Sequence, residues 1–515
     1  MQMMKVSPAK NMLSSLCLFV LICCLCSAEV FGQGAAAART EQAATEQTAA
    51  GDKGSGESTA QPADGPSTVV GRIGTYVITR QELGERLMTE LHPDDEEAYD
   101  EDSKPADAQT ILMKMIAEKA MIMEARKQSF LEDEMVTASI KRYRETRLVN
   151  LLAQRYVEKN RDKIVAVEDE INQRVQADPK FDQARAKADV ERTKAGKLLD
   201  GYYMQIHTKS QLKKLDQYFP RAIEVYQRLL HQPREPRNVP WMQNTQLKDE
   251  LAPSEENMVL AVFSGGQITL KNWLEAYCDI VPPRRPVIST PQAVDEMLER
   301  ALRMPLLVWE ATSLGLDKDP ELVKQVTNYE DGRLLTEATL AKQKEAKEPT
   351  NEEVIAYFNE NKEAFGTSKQ LKIDLVWCED LATARRAKAD LDAGKDFEAV
   401  REQYSLEKKG QAFYTQPGSE GLFWTDLWVG EPGSILGPLK GFYGRGIKWR
   451  IVKILEKKPG QGKEYSPDME SQVKGRMMDE RKKDLVAQYN NEMLKKYPFQ
   501  IYADRIKDID PLNIP

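Results

Sequence analysis

Hydrophobic and polar residues alternate along two short stretches of the chain, and glycine interrupts each of them. In residues 68–78 the interruption is Gly74, and in residues 259–270 it is Gly265 with Gly266. A period of two on both sides of a glycine turn is typical of a β-hairpin. The pattern therefore predicts one hairpin in each stretch.

The spacing of the apolar residues becomes helical after each hairpin. Broad apolar faces run through residues 108–130 and 291–314, which predicts core-facing helices. Further helices, with no strand among them, are predicted over residues 80–91, 181–230 and 320–347. Three prolines end the first helical region and predict a domain boundary there: Pro233, Pro236 and Pro240.

The same order of segments occurs twice, which predicts an internal repeat. Residues 77–83 are matched by 267–273, residues 123–125 by 309–311, and residues 167–171 by 350–354. The offset between matched residues falls from about 190 to 186 and then to 183, as small deletions in a duplicated unit would produce.

The C-terminal segment carries the signals of a helix start. Ser466 is placed as the N-cap, and Pro467 follows in the first turn. Apolar residues then recur near multiples of four: Val473, Met477, Leu485, Tyr489 and Tyr497. We expect this helix to pack back across the second copy of the repeated unit, residues 256–366. Residues 499–502 are predicted to form a short strand.

Length and the first residues indicate an exported protein of several domains. A chain of 515 residues is too long for one core, so two to four domains are expected. Two lysines, an apolar run at residues 13–26 and a small-x-small site ending at Ala28 predict a signal peptide over residues 1–28. A retained anchor and a lipoprotein are the alternatives. Residues 29–67 have the composition of a disordered linker.

Charge and cysteine content exclude several kinds of partner. The net charge is −8, and removal of residues 1–28, which hold two lysines and no acid, makes it −10. Such a protein has no electrostatic attraction to nucleic acid or anionic membranes. Outside residues 1–28 the only cysteines are Cys278 and Cys378, whose separation indicates neither a metal site nor a disulfide framework. We therefore expect no nucleic acid, metal or cofactor, and no stable membrane span after signal cleavage.

From Gln370 the pattern changes to that of a small α/β domain. Residues 370–377 alternate as a half-buried strand, residues 380–391 form an alanine-rich helix, and a second helix ends at Tyr404-Ser405. A Pro-Gly-Ser-Ile-Leu-Gly-Pro turn lies at residues 432–438, and a strand led by Gly446 closes the segment.

In this order the segment resembles the parvulin family of peptidyl-prolyl cis/trans isomerases. The preceding segment, with Gly-Gly-Gln-Ile-Thr at 265–269 and Asn-Glu-Glu-Val at 351–354, is similar to the N-terminal module of SurA- and PrsA-type extracytoplasmic chaperones. The resemblance implies an α+β fold. It consists of two mostly helical modules, each a hairpin followed by helices, a small parvulin-like domain with an antiparallel sheet, and a C-terminal helix. The predicted domains are a signal peptide (1–28), a disordered linker (29–67), a first SurA-N-like module (68–182), a helical insert (183–255), a second SurA-N-like module (256–366), the parvulin-like domain (367–458) and a C-terminal helix and tail (463–515).

The resemblance also implies which positions would line an isomerase pocket. Parvulins typically place one histidine on the first strand and one on the last, and here these positions hold Asp374 and either Lys448 or Arg450. Glu407 falls where the family often has Cys or Asp after the Tyr-Ser ending. If the domain is active, these four residues are the catalytic candidates. We expect Asp374 and Arg450 to pair across the floor of the pocket.

Aromatic residues are dense in this segment, and some of them are candidates for peptide contact. The group comprises Phe413, Tyr414, Phe423, Trp424, Trp428, Phe442 and Tyr443. Part of such a group is expected to be core. Phe423 and Trp424, in a glycine-flanked loop, are predicted to contact peptide, together with Trp428 and Phe442.

Three functions fit these observations. The first is a periplasmic or extracytoplasmic folding factor that binds unfolded exported polypeptides and uses its parvulin-like domain for binding. The second is an active peptidyl-prolyl isomerase with an atypical pocket. The third is a structural envelope scaffold with one fixed partner. Hydrolytic and redox chemistry are not indicated, because no Ser/His/Asp set, Cys-x-x-Cys motif or phosphate-binding glycine loop occurs.

Overall fold

The computed structural model describes residue 65 and residues 67–91, 107–178, 180–234, 239–444, 446–510 and 512. The predicted signal peptide, residues 29–64 of the linker and an acidic segment at 94–102 lie outside these residues. Among the described helices, none is long and apolar enough to cross a membrane.

The described elements follow one another along the chain as helices and short strands. The first part contains β1 (Val69–Ile73), β2 (Tyr76–Thr79), α1 (Arg80–Leu91), α2 (Ala108–Ala125), α3 (Glu134–Lys159), α4 (Glu168–Ala177), α5 (Gln183–Lys209), β3 (Lys213–Lys214), α6 (Phe219–His231), α7 (Asn244–Glu250) and α8 (Pro253–Glu256). The second part contains β4 (Val259–Phe263), β5 (Gly266–Thr269), α9 (Leu270–Cys278), α10 (Pro291–Ser313), α11 (Pro320–Gln343) and α12 (Asn351–Glu360). The third contains β6 (Gln370–Cys378), α13 (Leu381–Asp392), α14 (Phe397–Tyr404), β7 (Phe413–Thr415), α15 (Pro417–Glu420), α16 (Trp424–Trp428), β8 (Ile435–Tyr443), β9 (Gly446–Lys458), α17 (Glu470–Lys496) and β10 (Phe499–Ile501).

This architecture confirms the predicted α+β class. Both hairpins are present, each is followed by helices, and the segment that begins at Gln370 forms an antiparallel sheet with helices. The predicted strand near residue 500 is β10. The expectation of helix alone between residues 181 and 230 was wrong at one point, because Lys213–Lys214 forms β3 against the open side of β4.

The two hairpins have the same pairing. In the first, Val69 pairs with Thr79 and Ile73 with Tyr76, and the register shifts between residues 69 and 71. In the second, Val259 pairs with Thr269, and the register shifts between residues 259 and 261. Every paired residue of one hairpin lies 190 positions from its counterpart in the other. The two β-bulges thus occur at the same place, where a bulge bends and twists the strand.

The chain divides into two compact units, and each unit is described by itself. Unit 1 comprises Glu134–Glu330, and unit 2 comprises the described residues of Lys53–Asp133 together with Asp331–Pro515. The divisions fall just before α3 and within α11. Unit 1 therefore joins the second hairpin to α3–α5, and unit 2 joins the first hairpin to α12, α17 and the domain between them.

A third strand completes each hairpin sheet, and it follows a long helix. In unit 1, β3 follows α5 and pairs antiparallel with β4. In unit 2, β10 follows α17 and pairs antiparallel with β1. Lys213 lies opposite Val262, and Gln500 lies opposite Arg72, the position of the first hairpin equivalent to Val262. The helices α5 and α17 thus occupy equivalent places, with residues of α17 lying 287 positions after those of α5.

At this offset the two helices carry matching contacts. In each, a lysine Nζ donates to a buried or partly buried glutamate near the C-terminal end of another helix. Lys209 contacts Glu310 of α10 at 2.6 Å in unit 1, and Lys496 contacts Glu124 of α2 at 2.8 Å in unit 2. A tyrosine hydroxyl donates to the same carboxylate in each case, from Tyr202 at 3.1 Å and from Tyr497 at 2.6 Å, but these two tyrosines are not at equivalent positions. We call this arrangement the glutamate clasp.

A second matching contact lies near the middle of these helices. Lys194 of α5 pairs with Glu170 at the start of α4, and Arg481 of α17 pairs with Glu353 at the start of α12, at 2.8 Å. In each of the short helices α4 and α12, this glutamate also accepts a hydrogen bond from the backbone N–H of the N-cap residue. This is one half of a capping box, so one side chain both begins the short helix and holds the long one.

The units differ in what separates the short helix from the long one. In unit 1 only residues 178–182 lie between α4 and α5. In unit 2 the parvulin-like domain lies between α12 and α17, and its two ends meet, since Thr367 and Gln461 exchange both backbone hydrogen bonds at 2.9 and 3.1 Å. Gly366 allows this approach, because a Cβ there would lie 1.8 Å from the Gln461 carbonyl oxygen. The domain is inserted at a single point of the unit.

The C-terminal helix packs on more than was expected. Its first half packs on α12, where Val473 and Met477 contact Val354 and Phe358. This helix belongs to the second module (256–366), on which the C-terminal helix was predicted to pack. The last turns of α17, including Tyr489 and Met493, pack instead in the core that the first hairpin and α2 form. The reason is that β10 pairs with β1 and therefore brings the end of α17 to the first hairpin.

Candidate functional site

The parvulin-like domain is built on a four-stranded antiparallel sheet of order β7-β6-β9-β8. The first and last strands of the domain, β6 and β9, are hydrogen-bonded neighbours, with Leu375 opposite Val452 and Trp377 opposite Arg450. The parvulin-like assignment required this pairing. Because strand side chains alternate, the register decides which candidate residues share a face.

One face of this sheet is covered by the helices α13 and α14. Val376, Cys378 and Ile451 point into that core with Ala384 and Phe397. The opposite face is covered by α16, which packs Trp424 and Leu427 on its apolar residues Leu371, Ile373, Val452 and Ile454. Both faces are thus buried over much of their area.

Asp374 lies on the helical face and does not pair with Arg450, so the predicted pair was wrong. Its carboxylate accepts a hydrogen bond from the guanidinium of Arg401, a residue of α14 whose side chain is 1% exposed. Arg401 also donates to the carbonyl oxygens of Leu375 at 3.1 Å and Gly410 at 3.2 Å, and to the Glu398 carboxylate. The position that the resemblance assigns to the first histidine is therefore occupied by half of an ion pair that joins strand, helix and loop.

Arg450 lies on the opposite face and has its own buried partner. It donates to Glu420 at 2.7 Å, and the two side chains are 2% and 8% exposed. Glu420 also accepts from the hydroxyl of Thr415 at 2.6 Å. Gly441 of β8 makes room for the arginine, because a Cβ there would lie 2.3 Å from the Arg450 Nε. Removal of one partner of a buried ion pair lowers the free energy of unfolding by about 3–5 kcal/mol. The pair of Arg450 and Glu420 therefore holds the turn at residues 417–420 on the sheet.

The other two catalytic candidates lie on the surface. Lys448 pairs with Glu379, whose side chain is mostly exposed, and Glu407 has an exposed side chain. The backbone N–H of Glu407 donates to the hydroxyl of Ser405, which places the loop rather than the carboxylate. The structure therefore does not bring Asp374, Glu407, Lys448 and Arg450 together in one site.

The predicted peptide contacts need a correction as well. Phe423 and Trp424 are 2% and 1% exposed, so they are interior residues and not exposed loop aromatics. The reason is that residues 417–428 form short helical turns that close over the sheet instead of an open loop. Trp428 and Phe442 are half-buried and pack on this pair, with ring centroids 5.3 Å from Trp424 and 5.0 Å from Phe423, respectively.

The exposed aromatics of the domain are two residues that sequence reasoning named but did not select. Phe413 and Tyr414 are 46% and 45% exposed, and both lie on β7, the edge strand. Their signal in the sequence is the short aromatic pair after Lys408-Lys409-Gly410, which is too brief to be recognised as a strand. Their importance depends on the sheet order, which puts them at an edge.

Nothing in the described residues supplies other chemistry to this site. Both cysteines in the described part of the chain are free thiols, and burial raises the pKa of Cys378 and of Cys278 to about 11. Such thiols are protonated at neutral pH and hence poor nucleophiles. Across the described ranges there is no group of three or more side chains suited to hold a metal ion.

Solved structures with a similar arrangement are SurA-like and PrsA proteins. A SurA-like chaperone of Campylobacter jejuni is 14% identical, with 45% of this chain covering 95% of that one at a TM-score of 0.21. The PrsA peptidylprolyl isomerase of Bacillus anthracis is 14% identical, with coverages of 54% and 95% and a TM-score of 0.21. The PrsA foldase of Streptococcus pneumoniae is 15% identical, with coverages of 33% and 64% and a TM-score of 0.22.

The chain is similar to these proteins over part of its length. No protein-family model matches the chain, and no curated protein matches it. At such identities and TM-scores the likeness by itself says nothing about activity. What the parvulin-like domain does must be inferred from its own residues.

Proposed function

We propose that this protein is an extracytoplasmic folding factor that binds unfolded exported polypeptides and uses its parvulin-like domain for binding rather than for isomerisation. The observation that carries the proposal is the fate of the two histidine positions. Asp374, at the first position, lies on the opposite face of the sheet from Arg450, one of the two alternatives for the second position. All three residues, Asp374, Arg450 and the other alternative Lys448, are held in ion pairs with other residues.

Isomerisation needs a pocket that favours the twisted amide. The barrier of about 18–20 kcal/mol comes from loss of amide resonance, and an enzyme lowers it by stabilising the twisted state through apolar grip and placed polar groups. Here the polar groups at both positions already bond protein partners, and Arg450 is 2% exposed. They are in no position to act on a bound X-Pro bond, which favours binding without catalysis.

Exposed apolar side chains in both units support the binding function. Val287, Val281 and Met204 of unit 1 are 77%, 55% and 60% exposed, and Val429 of the parvulin-like domain is 72% exposed. Unfolded chains expose apolar residues, so these four exposed side chains are the candidate contacts for them. Trp428 and Phe442 remain candidates for peptide contact at their half-buried positions.

The proposal includes the location and the origin of the chain. Its sequence begins with a segment that has the pattern of a cleaved signal peptide, which suits export to the periplasm or an equivalent extracytoplasmic space. The equal registers of the hairpins, the two glutamate clasps and the stacking of Tyr143 on Tyr329, 186 positions later, support an internal duplication. We infer that unit 1 and unit 2 derive from one ancestral module.

Aggregation and isomerisation assays separate the three functions. The mature chain, residues 29–515, is added to chemically unfolded citrate synthase and, separately, to unfolded α-lactalbumin, and light scattering is followed. In parallel, the cis-to-trans relaxation of a proline tetrapeptide is timed. We expect less scattering with both proteins and no acceleration of the peptide.

Two outcomes contradict the proposal. Acceleration of the tetrapeptide that is lost in Asp374→Ala and in Arg450→Lys makes the protein an isomerase with an atypical pocket. Unchanged scattering for both unfolded proteins favours a scaffold with one fixed partner. Thermal unfolding of each variant serves as the control, because both residues belong to buried ion pairs.

A further inference from the structure

The edge of the parvulin-like sheet at β7 has the properties of a strand acceptor. β7 is the outermost strand, and its pairing is with β6 alone, through Leu371–Thr415, Lys372–Tyr414 and Ile373–Phe413. Across the described part of the chain, no backbone hydrogen bond outside this ladder involves residues 413–415. An edge of this kind presents unpaired N–H and C=O groups to any extended chain.

Three contacts hold this edge in its extended form. At its start, Arg401 donates to the Gly410 carbonyl oxygen at 3.2 Å. At its end, the Thr415 hydroxyl donates to Glu420 at 2.6 Å, within the buried pair with Arg450. In its middle, the Tyr414 hydroxyl donates to the Glu456 carboxylate at 2.5 Å. A partner therefore meets a strand that is already ordered, which lowers the entropic cost of binding.

The side chains of this edge are apolar at the surface. Phe413 and Tyr414 are 46% and 45% exposed. Natural sheets usually protect exposed edges with charges or bulges. Here two of the three residues of β7 are exposed aromatics. They protect the edge poorly against pairing with another strand, and they offer a contact surface to one.

Lysines surround the edge and define the charge of its partner. Lys408 and Lys409 immediately precede β7, and Lys372 lies opposite Tyr414 on β6. Among the described residues none of these three lysines belongs to an ion pair, whereas Glu456 is engaged by Tyr414 and Lys458. The Lys408 ammonium donates to the Gln403 carbonyl oxygen at 3.4 Å, and the Lys372 ammonium lies 5.8 Å from the centroid of the Tyr414 ring. Neither contact neutralises the charge, so carboxylates of a ligand are attracted and a basic ligand is repelled.

We propose that β7 binds an extended acidic peptide, with apolar side chains alternating with carboxylates, as an added antiparallel or parallel strand. This inference rests on the proposed function, since it names the class of client segment that the parvulin-like domain takes. Backbone hydrogen bonds to β7 give the affinity. Because strand side chains alternate, the apolar side chains of the peptide meet Phe413 on one face of the sheet, and its carboxylates lie on the other face, where Tyr414 and Lys372 are paired.

Fluorescence anisotropy on the full mature chain tests the proposal. The probe is a labelled ten-residue peptide in which valine and phenylalanine alternate with glutamate. Three matched peptides replace glutamate by lysine, methylate every second backbone nitrogen, or insert a central proline. We expect binding of the acidic probe alone, with at least about a tenfold loss for each matched peptide.

Two protein variants locate the binding. Phe413→Ser should weaken binding of the acidic probe at least about tenfold. The control is Ile355→Ser, at an apolar residue of α12 that is 44% exposed against 46% for Phe413, and it should change binding less than about twofold. Lys408→Glu with Lys409→Glu should weaken binding and flatten its dependence on salt. All of the substituted positions are exposed, so each variant is expected to keep the melting temperature of the wild type.

The outcomes are distinct from those of the proposed function. Binding that survives backbone methylation, or that is equal in Phe413→Ser and the wild type, overturns strand addition at β7. Suppressed aggregation without peptide binding leaves the folding factor intact and removes this inference. Peptide binding without suppressed aggregation supports the edge and removes the folding factor.

Discussion

The two units close their hairpins in the same way, but only one of them does so across an inserted domain. In unit 1, α4 runs into α5 after residues 178–182, and in unit 2 the parvulin-like domain separates α12 from α17. The pairs that lock the long helix, Lys194 with Glu170 and Arg481 with Glu353, are nevertheless alike. An insertion is tolerated here because its ends meet at Thr367 and Gln461, so the helices keep their separation.

The glutamate clasps of the two units differ in burial. The Glu310 side chain is 7% exposed and also accepts from the Ser313 hydroxyl at 3.3 Å. The Glu124 side chain is 15% exposed, and its pKa is held below the usual value by hydrogen bonds from Lys496 and Tyr497. Because a hydrogen bond to a buried charged group contributes more than one near water, the clasp of unit 1 is expected to be the stronger.

Removal of the inserted domain is the largest test of this comparison. A chain in which residues 366–462 are replaced by the five residues at 178–182 should lose one unfolding transition completely. Unit 2 should remain folded, because its core residues come from the hairpin, α2 and α17. Hydrogen exchange checks this, and protection in β1 and α17 should equal that of the wild type. Loss of that protection would mean that the domain is needed to dock α17.

The clasps give the next largest effect. Glu310→Ala should destabilise unit 1 by about 2–3 kcal/mol, because Lys209 and Tyr202 lose a charged acceptor. Glu124→Ala should destabilise unit 2 by less. Urea unfolding monitored by hydrogen exchange in each unit measures both values. An equal effect of the two substitutions would show that burial does not rank the clasps.

The hairpin turns give a smaller effect. Gly265 lies under Trp309, and a Cβ there would come within 2.3 Å of the indole. Gly265→Ala should therefore cost about 1–3 kcal/mol, as overpacking against a rigid ring does. Thr75→Ala, at the equivalent position of the first hairpin, is the control. The shift in melting temperature measures the difference, and equal shifts would contradict the steric explanation.

The dependence on pH gives the smallest effect. The pKa of Glu124 is lowered in the folded protein, chiefly by the hydrogen bond from Lys496, from an unfolded value of 4.5. Its contribution to the free energy of unfolding is then complete above pH 4.5 and is lost as the pH falls through the folded pKa. The stability difference between wild type and Glu124→Gln should be constant near neutral pH and shrink below pH 4.5. A difference that grows on acidification would reverse the assigned sign.

Local patterns allowed the hairpins, most helices, and the first and last strands of the parvulin-like domain to be predicted. The other two strands of that sheet, β7 and β8, were not predicted, and β8 begins inside the predicted turn at residues 432–438. Each of the predicted elements depends on a short period or on residues with fixed backbone preferences, such as the glycines of the hairpin turns. The equivalence of α5 and α17 was missed. Its matching residues, including Lys209 and Lys496, lie 287 positions apart, whereas the offset before the insertion is 183.

The site was predictable only in part. The chain shows that residues 367–458 contain no histidine, and the resemblance assigns the two positions to Asp374 and to either Lys448 or Arg450. The partners of these residues cannot be read from the chain. Arg401 reaches Asp374 from a helix and Glu420 reaches Arg450 from a turn, so the choice depends on sheet register. The same holds for Trp424, whose burial follows from the turns that fold over the sheet.

The sequence by itself determined most of the segments that become strands and helices, because backbone preference and hydrophobic period act over a few residues. Among the strands, β3, β7 and β8 are the exceptions. The sequence also determined where a small α/β domain begins, because the hydrophobic period changes at Gln370. Only the tertiary structure decided which strand completes each hairpin, which charges neutralise each other and which aromatic residues face water. Those choices depend on contacts between residues far apart in the chain, and a short period carries no information about them.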